Sequence, residues 1–246
     1  MRIIKGPESF GFKEQVLHLS SDWVLGVDKW LEDRAKWFIE NSGMEKYLKE
    51  GGQYLDVGTG KGHITQHVLA DMEKSGTPLR GYYGVDVAAK PSNKVQKRES
   101  KRKNKPLAEN KNPMNFLWAT AEALPFADKS LDGVSYIFSI HHMDKDATNR
   151  VVQESKRVIK KDGYIFIAED IVDTEEQREI TEKRDRQLNW ESKDSEHNYK
   201  SDEDWEKYFN EMGLEIVERN FFESESKKGT VPHAFYALRL KEENPQ

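Results

Sequence analysis

The sequence of 246 residues contains no cysteine, and it has no long run of apolar residues. The absence of cysteine excludes disulfide bonds, zinc sites built on thiolates and a cysteine nucleophile. No segment approaches the roughly 18 consecutive apolar residues of a membrane-spanning helix, and residues 1–8 lack the apolar centre of a secretory signal. We therefore expect a soluble, cytoplasmic protein that has no membrane partner.

Charged residues are abundant but unevenly distributed. They make up 34% of the sequence, and the formal net charge of −5 argues against a protein that binds nucleic acid mainly by covering its phosphates. Residues 90–111 nevertheless contain nine Lys or Arg and two Glu, whereas residues 169–225 contain twenty Asp or Glu and eight Lys or Arg. The chain thus has a basic segment followed by an acidic one.

From residue 52 onward, short apolar segments alternate with segments of helical periodicity. The short segments are predicted strands, and they cover Gln53–Val57, Gly81–Val87, Asn115–Ala119, Gly133–Phe138 and Tyr164–Ala168. Helical spacing of apolar residues predicts helices over 63–72 and 147–159. This alternation indicates βαβ units and a parallel sheet that is covered by helices on both faces.

The C-terminal part of the chain has a different pattern. A long charged helix is predicted over 174–190, and Ser201 is expected to open a second helix that ends near Gly213. Two alternating segments, 214–222 and 233–240, predict an antiparallel pair of strands.

The first fifty residues are predicted to form a separate helical cap. Trp23, Trp30 and Trp37 are spaced seven residues apart, which keeps them near one face of a helix. We expect a cap over 1–50 and one compact domain over 51–246, with an insertion at about 174–200 that forms a lid.

A glycine-rich segment, Asp56-Val57-Gly58-Thr59-Gly60-Lys61-Gly62-His63, stands between a predicted strand and a predicted helix. Such glycines let the backbone approach a ligand, and the N terminus of the helix offers N–H groups. A P-loop is excluded because Lys61 is followed by Gly62 rather than Ser or Thr. The dinucleotide fingerprint would place its third glycine at His63, so NAD binding is the weaker alternative.

Three further motifs follow. Asp86 ends the next predicted strand, where a carboxylate can accept hydrogen bonds from both hydroxyls of a ribose. The other two are Ala119-Thr120-Ala121-Glu122-Ala123-Leu124-Pro125-Phe126 and, after the fourth strand, Ser139-Ile140-His141-His142-Met143.

With these motifs in this order, residues 52–170 closely resemble the class I S-adenosylmethionine-dependent methyltransferases of the type 11, small-molecule branch. The resemblance continues more loosely to residue 240. It implies an α/β, Rossmann-like fold with a seven-stranded sheet, six strands parallel and one antiparallel. It also implies S-adenosylmethionine as the cofactor and a small molecule as the methyl acceptor.

The same resemblance implies which residues contact the cofactor. Gly58 and Gly60 would pass under its methionine part, and Asp86 would hold its ribose. Thr120 stands where the family commonly has Asp, so a hydroxyl would replace a carboxylate at the adenine amino group. The full set of expected cofactor-binding residues is Asp56, Gly58, Thr59, Gly60, Asp86, Val87, Thr120, Ala121 and Ser139.

The transfer itself requires little from the protein, because the sulfonium group already carries an activated methyl group. The site must align the reacting atoms, exclude water and, for some acceptors, remove a proton. Candidates for a base follow the strands where open α/β sheets bind ligands, namely His141 or His142 after the fourth strand and Glu169 or Asp170 after the fifth. We predict His142, Asp170 and His141 as catalytic residues, while Asp144 and Asp146 are expected to cap the next helix.

No metal site is predicted. His63 and His67 are four residues apart on a predicted helix, but Ile64 stands where a zincin has Glu, and no third ligand is nearby.

Other functions remain as alternatives. An RNA methyltransferase could use the basic segment 90–111 to hold phosphates, although prolines interrupt it and no aromatic residue interleaves for base stacking. An NAD-binding oxidoreductase and a non-catalytic cofactor-binding protein are compatible with the same fold. The predicted lid contains polar and aromatic residues suited to a small acceptor, namely Asn189, Trp190, His197, Asn198 and Tyr199.

Overall fold

The computed structural model describes residues 2–6, 36–60, 62–76, 79–87, 114–188, 197–224 and 231–242. The strands in this part of the chain are β1 (Arg2–Gly6), β2 (Gln53–Val57), β3 (Gly81–Asp86), β4 (Met114–Trp118), β5 (Leu131–Ile137), β6 (Ile159–Asp170), β7 (Leu214–Ser224) and β8 (His233–Leu240). The helices are α1 (His63–Ser75), α2 (Lys145–Val158), α3 (Glu175–Leu188) and α4 (Asp202–Glu211). Residues 36–42 are also helical, and Met44–Tyr47 and Ile140–His142 form 3-10 turns.

All eight strands join one sheet in the order β1-β7-β8-β6-β5-β2-β3-β4. Strand β8 is antiparallel to both of its neighbours, and every other pair in the sheet is parallel. Strands β2–β8 confirm the predicted sheet of six parallel strands and one antiparallel strand. The strand order reverses between β2 and β5, so the loops that follow these two strands lie side by side, at the place where α/β sheets bind ligands.

Strand β1 was not predicted. Its backbone pairs in parallel with β7 and adds an eighth strand at the edge of the sheet, where a helical cap was expected. Five residues with a single pair of isoleucines carry too little periodicity to reveal a strand, and tertiary pairing decides the outcome. Trp23 and Trp30 lie outside the described residues, so the cap over 1–50 and its boundary stay predictions.

The sheet is covered on both faces by helices. Alternate residues of β6 separate into two hydrophobic clusters, with Ile165 and Ile167 in one and Phe166 and Ala168 in the other. The first cluster includes side chains from α2 and α4, and the second includes side chains from α1 and from residues 36–42. Since successive side chains of a strand point to opposite faces, the two clusters lie on opposite sides of the sheet.

Two predicted features fall largely outside the described residues: the basic segment 90–111 and the part of the lid at 189–196. The described part of the lid is helix α3 together with residues 197–200. Within the described portion of the chain, no helix is long and apolar enough to cross a membrane.

Candidate functional site

Asp56, at the carboxyl end of β2, connects three elements of the site. Its two carboxylate oxygens accept hydrogen bonds from the hydroxyls of Thr65 in α1 at 2.8 Å and Ser135 in β5 at 3.0 Å. Burial raises the pKa of Asp56 to about 6, although the surrounding hydroxyls oppose this shift. The buried carboxylate of Asp56 therefore anchors the end of β2, where the glycine loop begins, to α1 and β5.

The glycine loop is shaped by residues with positive φ. Gly58 has φ +73°, and a Cβ atom there would lie 2.6 Å from the Cβ of Ser139, so only glycine fits against the loop that follows β5. Gly60 has φ +53°, but a Cβ atom there would meet nothing within 4 Å. The loop is thus closely packed at Gly58 and faces open space at Gly60.

Thr59 and Ser139 support this loop. The Thr59 hydroxyl lies 2.7 Å from the Thr65 hydroxyl, and the backbone N–H of Thr59 donates to the Val85 carbonyl at 3.2 Å. The Ser139 hydroxyl donates to the Val57 carbonyl at 2.9 Å. Both side chains are buried, so they hold the loop in shape rather than line its open side.

Asp86 joins the end of β3 to the glycine loop, because its Oδ2 accepts a hydrogen bond from the Gly60 N–H at 2.9 Å. Beside it, Val87 is 65% exposed and Trp118, at the end of β4, is 73% exposed. The Trp118 Nε1–H donates to the Val87 carbonyl at 2.6 Å, which fixes the ring next to the loop. Trp118 was not predicted as a site residue. Its position at the end of a predicted strand, next to the predicted adenine-binding residues, could have indicated a role in ligand binding.

Thr120 and Ala121 follow β4. Thr120 is exposed and Ala121 is buried, and the Glu122 N–H donates to the Thr120 hydroxyl at 3.4 Å. The hydroxyl of Thr120 lies at the surface on the same edge as Val87 and Trp118, because strands β3 and β4 pair in parallel up to Asp86 and Trp118.

Glu169, near the end of β6, organises the turn that carries the histidines. One of its oxygens, Oε1, accepts hydrogen bonds from the backbone N–H groups of Ser139 at 3.0 Å and Ile140 at 2.9 Å. Its other oxygen, Oε2, accepts a hydrogen bond from His141 Nδ1 at 2.5 Å. Sequence reasoning placed Glu169 among acidic residues after the fifth strand, but only the structure shows that it holds this turn.

His141 and His142 have opposite protonation preferences. Burial lowers the pKa of His141, but the charges of Glu169 and Asp185 and their hydrogen bonds outweigh burial and raise it to about 10. Burial and the neighbouring charge of His141 lower the pKa of His142 to about 4. At neutral pH, His141 is a cation and His142 is neutral, so of the two rings only His142 retains an unprotonated nitrogen, and its low pKa makes it a weak base.

Asp170, the third predicted catalytic residue, is buried at the end of β6. It forms a close ion pair with His233, the first residue of β8, and the ring of His233 contacts that of Phe138 at 5.2 Å. His142 also contacts the ring of His197 at 5.3 Å. The residues after β5 and β6 therefore form one polar and aromatic region, which includes part of the predicted lid.

Among the described residues, no group of three His, Asp or Glu side chains has the arrangement of a metal site. The side chain of His63 lies outside the described part, so the predicted lack of a metal role for His63 and His67 stays a prediction.

The known proteins that this chain resembles include several methyltransferases. Residues 55–167 match the sequence model of a methyltransferase domain. The chain is 32% identical over 120 residues to a ubiquinone/menaquinone biosynthesis C-methyltransferase of Geotalea uraniireducens, which covers 49% of this chain and 46% of that protein. The chain spans about half the length of the curated relatives it matches.

Solved structures share the fold at low sequence identity. An S-adenosylmethionine-dependent methyltransferase of Leishmania major has a TM-score of 0.58 at 20% identity, with 89% of this chain and 77% of that chain covered. The 1,6-didemethyltoxoflavin-N1-methyltransferase of Burkholderia thailandensis, solved with its substrate and S-adenosylhomocysteine, has a TM-score of 0.59 at 14% identity, with 90% and 87% covered.

Proposed function

We propose that the chain, whose residues 55–167 match the model of a methyltransferase domain, is a class I, S-adenosylmethionine-dependent methyltransferase that transfers a methyl group to a small-molecule acceptor. The observation that carries the proposal is the glycine loop, which is closely packed at Gly58, open at Gly60 and held by Asp86. The RNA alternative rests on the basic segment 90–111, which the sequence alone defines.

The described residues fit this cofactor. The open side of Gly60 leaves room for the methionine part, and the carboxylate of Asp86 stands where it would hold the ribose. Val87 and Trp118 offer exposed apolar surface that an adenine ring would cover, with the Thr120 hydroxyl and the Ala121 N–H at the same edge. The bound cofactor supplies an electrophilic methyl group on a sulfonium, which an acceptor displaces in line.

The chain's own residues would orient the acceptor and, where needed, take its proton. We propose His142 as the base, because its ring is neutral at neutral pH and stands at the turn after β5. Asp170 is the second candidate, through a carboxylate that is paired with His233. If replacement of both His142 and Asp170 leaves kcat on the true acceptor unchanged, the transfer uses neither as a base.

Titration calorimetry with S-adenosylhomocysteine tests the cofactor assignment, with NAD titrated beside it. We expect binding of S-adenosylhomocysteine only. In Asp86→Asn, the affinity should fall by about tenfold or more, because a hydrogen bond to a charged group is weakened at the ribose and at Gly60.

The matched control is Asp146→Asn, the same chemical change at an exposed residue of α2, which should bind as the wild type does. Preferential binding of NAD would favour the oxidoreductase alternative. Binding of S-adenosylhomocysteine without transfer to any acceptor would favour a non-catalytic cofactor-binding protein.

A binding assay with transfer RNA separates the two classes of acceptor. Fluorescence anisotropy should show no saturable binding to the wild type at physiological salt if the acceptor is a small molecule. Binding that is lost on replacing Lys101, Arg102 and Lys103 with Ala would favour the RNA alternative.

A further inference from the structure

A buried ionic cluster, formed by His141, Glu169 and Asp185, lies at the turn that follows β5. His141 Nδ1 is 2.5 Å from Glu169 Oε2, and His141 Nε2 is 3.2 Å from Asp185 Oδ2. The exposed fractions of these three side chains are 4% for His141, 1% for Glu169 and 7% for Asp185. The Tyr199 hydroxyl donates a short hydrogen bond to Asp185, and its ring stacks on that of His141.

The geometry assigns a charge to this histidine. Each of its two ring nitrogens faces a carboxylate oxygen, and an ionised carboxylate can only accept a hydrogen bond. With both carboxylates ionised, protons on both ring nitrogens make the cluster one cation between two anions. Nδ1 is hydrogen-bonded to Glu169, and Nε2 is within ion-pair distance of Asp185. Removing one member would leave the others with uncompensated buried charge.

The cluster joins elements that are far apart in the sequence. His141 belongs to the turn after β5, Glu169 to β6, Asp185 to helix α3 and Tyr199 to the C-terminal end of the predicted lid. The backbone supports the same connection, since the Asn198 N–H donates to the His141 carbonyl at 2.8 Å.

The groups that face His141 come from every element packed against it. Two other titratable rings complete the surroundings beyond the two carboxylates and Tyr199: His142 at 4.0 Å and His197 at 6.0 Å between ring centroids. His142 is neutral at neutral pH, since burial and the charge of His141 lower its pKa. His141 is thus the cation on which the negative charges of β6 and α3 converge.

We propose that His141 is a positioning residue, which fastens α3 and residues 197–199 to the ends of β5 and β6 and so fixes the acceptor side of the site. The proposal rests on the proposed function, because α3 and residues 197–199 border an acceptor only if the chain is a methyltransferase. Asp56 and Asp86 hold the glycine loop through other contacts. Loosening α3 and residues 197–199 should therefore leave cofactor binding intact.

Asp185→Asn is the variant of choice, because Asp185 contacts His141 from α3 alone, whereas Glu169 also holds the turn beside Gly58. Glu179→Gln makes the corresponding change at an exposed position of the same helix and serves as the matched control. Hydrogen exchange read by mass spectrometry at neutral pH should show faster exchange over 175–188 and 197–200 in Asp185→Asn, by about tenfold or more.

The same samples are titrated with S-adenosylhomocysteine, whose affinity should change by less than about twofold, since additivity is expected for groups that share no contact. Unchanged exchange in a folded Asp185→Asn variant would overturn the proposal. Absence of S-adenosylhomocysteine binding by the wild type would instead overturn the proposed function, whatever the exchange result.

A spectroscopic measurement on the wild type keeps the proposal testable even if the variant does not fold. Nitrogen-15 NMR of the histidine rings, with His141 assigned from the spectrum of His141→Gln, should show two protonated ring nitrogens for His141 at neutral pH. A single protonated nitrogen would mean that the ring does not serve as a cation between the carboxylates, and would overturn the proposal.

Discussion

At the scale of single residues, the glycine loop shows how two positions with similar backbone angles can have different purposes. Gly58 and Gly60 both have positive φ, at +73° and +53°. Gly58 is required because the loop after β5 leaves no room for a side chain, whereas Gly60 faces open space. We interpret the first as a requirement of the fold and the second as a requirement of the ligand.

This difference predicts distinct effects of alanine. Gly58→Ala should lower the free energy of unfolding by about 2–4 kcal/mol, from left-handed strain together with the clash against Ser139. Gly60→Ala should cost only about 1 kcal/mol of strain but should weaken S-adenosylhomocysteine binding by at least about tenfold, because its methyl group occupies ligand space. Urea unfolding and calorimetry on both variants check this, and equal losses of stability would contradict it.

At the scale of elements, a capping residue determines where helix α2 begins. Asp144 is its N-cap, and the Asp144 side chain accepts a hydrogen bond from the Ala147 N–H at 2.7 Å. Asp146 lies in the first turn, where a negative charge interacts favourably with the helix dipole. The helix follows the histidine turn directly, so its start helps to set where that turn ends.

Replacing the cap should therefore cost more than replacing its neighbour. We expect Asp144→Ala to lower the free energy of unfolding by about 1–2 kcal/mol, through loss of the cap bond. Asp146→Ala should lower it by about 0.5 kcal/mol or less, since only the dipole interaction is lost. Urea denaturation of the two variants measures the difference, and a larger effect at Asp146 would show that the cap bond contributes little.

At the scale of the whole molecule, buried titratable groups couple stability to pH in different ranges. The pKa of His141 is raised from 6.5 to about 10, so its contribution to stability is complete below pH 6.5 and is lost as the pH rises through about 10. Burial lowers the pKa of Lys200 from 10.5 to about 8, so its destabilising contribution is complete below pH 8 and is relieved as the pH rises from about 8 to 10.5. The pKa of Asp56 is raised from 3.8 to about 6, so its contribution to stability changes between about pH 4 and pH 6.

Comparison with His141→Gln between pH 7 and 8 isolates the contribution of His141, because Lys200 titrates in both proteins. Between these values the wild type should lose up to about 1.4 kcal/mol of unfolding free energy more than His141→Gln, which corresponds to one proton released on unfolding. Urea unfolding of both proteins at the two pH values checks the prediction. Equal pH dependence in the two proteins would show that His141 has the same protonation in the folded and unfolded states.

Sequence determined those features that depend on near neighbours along the chain. The strand, glycine loop and helix around Asp56 follow from local spacing, and the acidic end of β3 and the succession of strands β2–β8 along the chain follow from the same alternation. These patterns also sufficed to place Gly58, Gly60 and Asp86 at one edge of the sheet, where the structure has them in contact with one another or with the loop after β5.

Only the tertiary structure decided the rest. The pairing of β1 with β7 and the meeting of His141 with Asp185 and Tyr199 join parts of the chain that no local pattern connects. The sequence offers both His141 and His142 as candidate bases, with His142 preferred, and the structure gives the two rings different surroundings. The physical reason is that the charge of a histidine depends on burial and on the carboxylates around it, and folding alone brings those carboxylates into place.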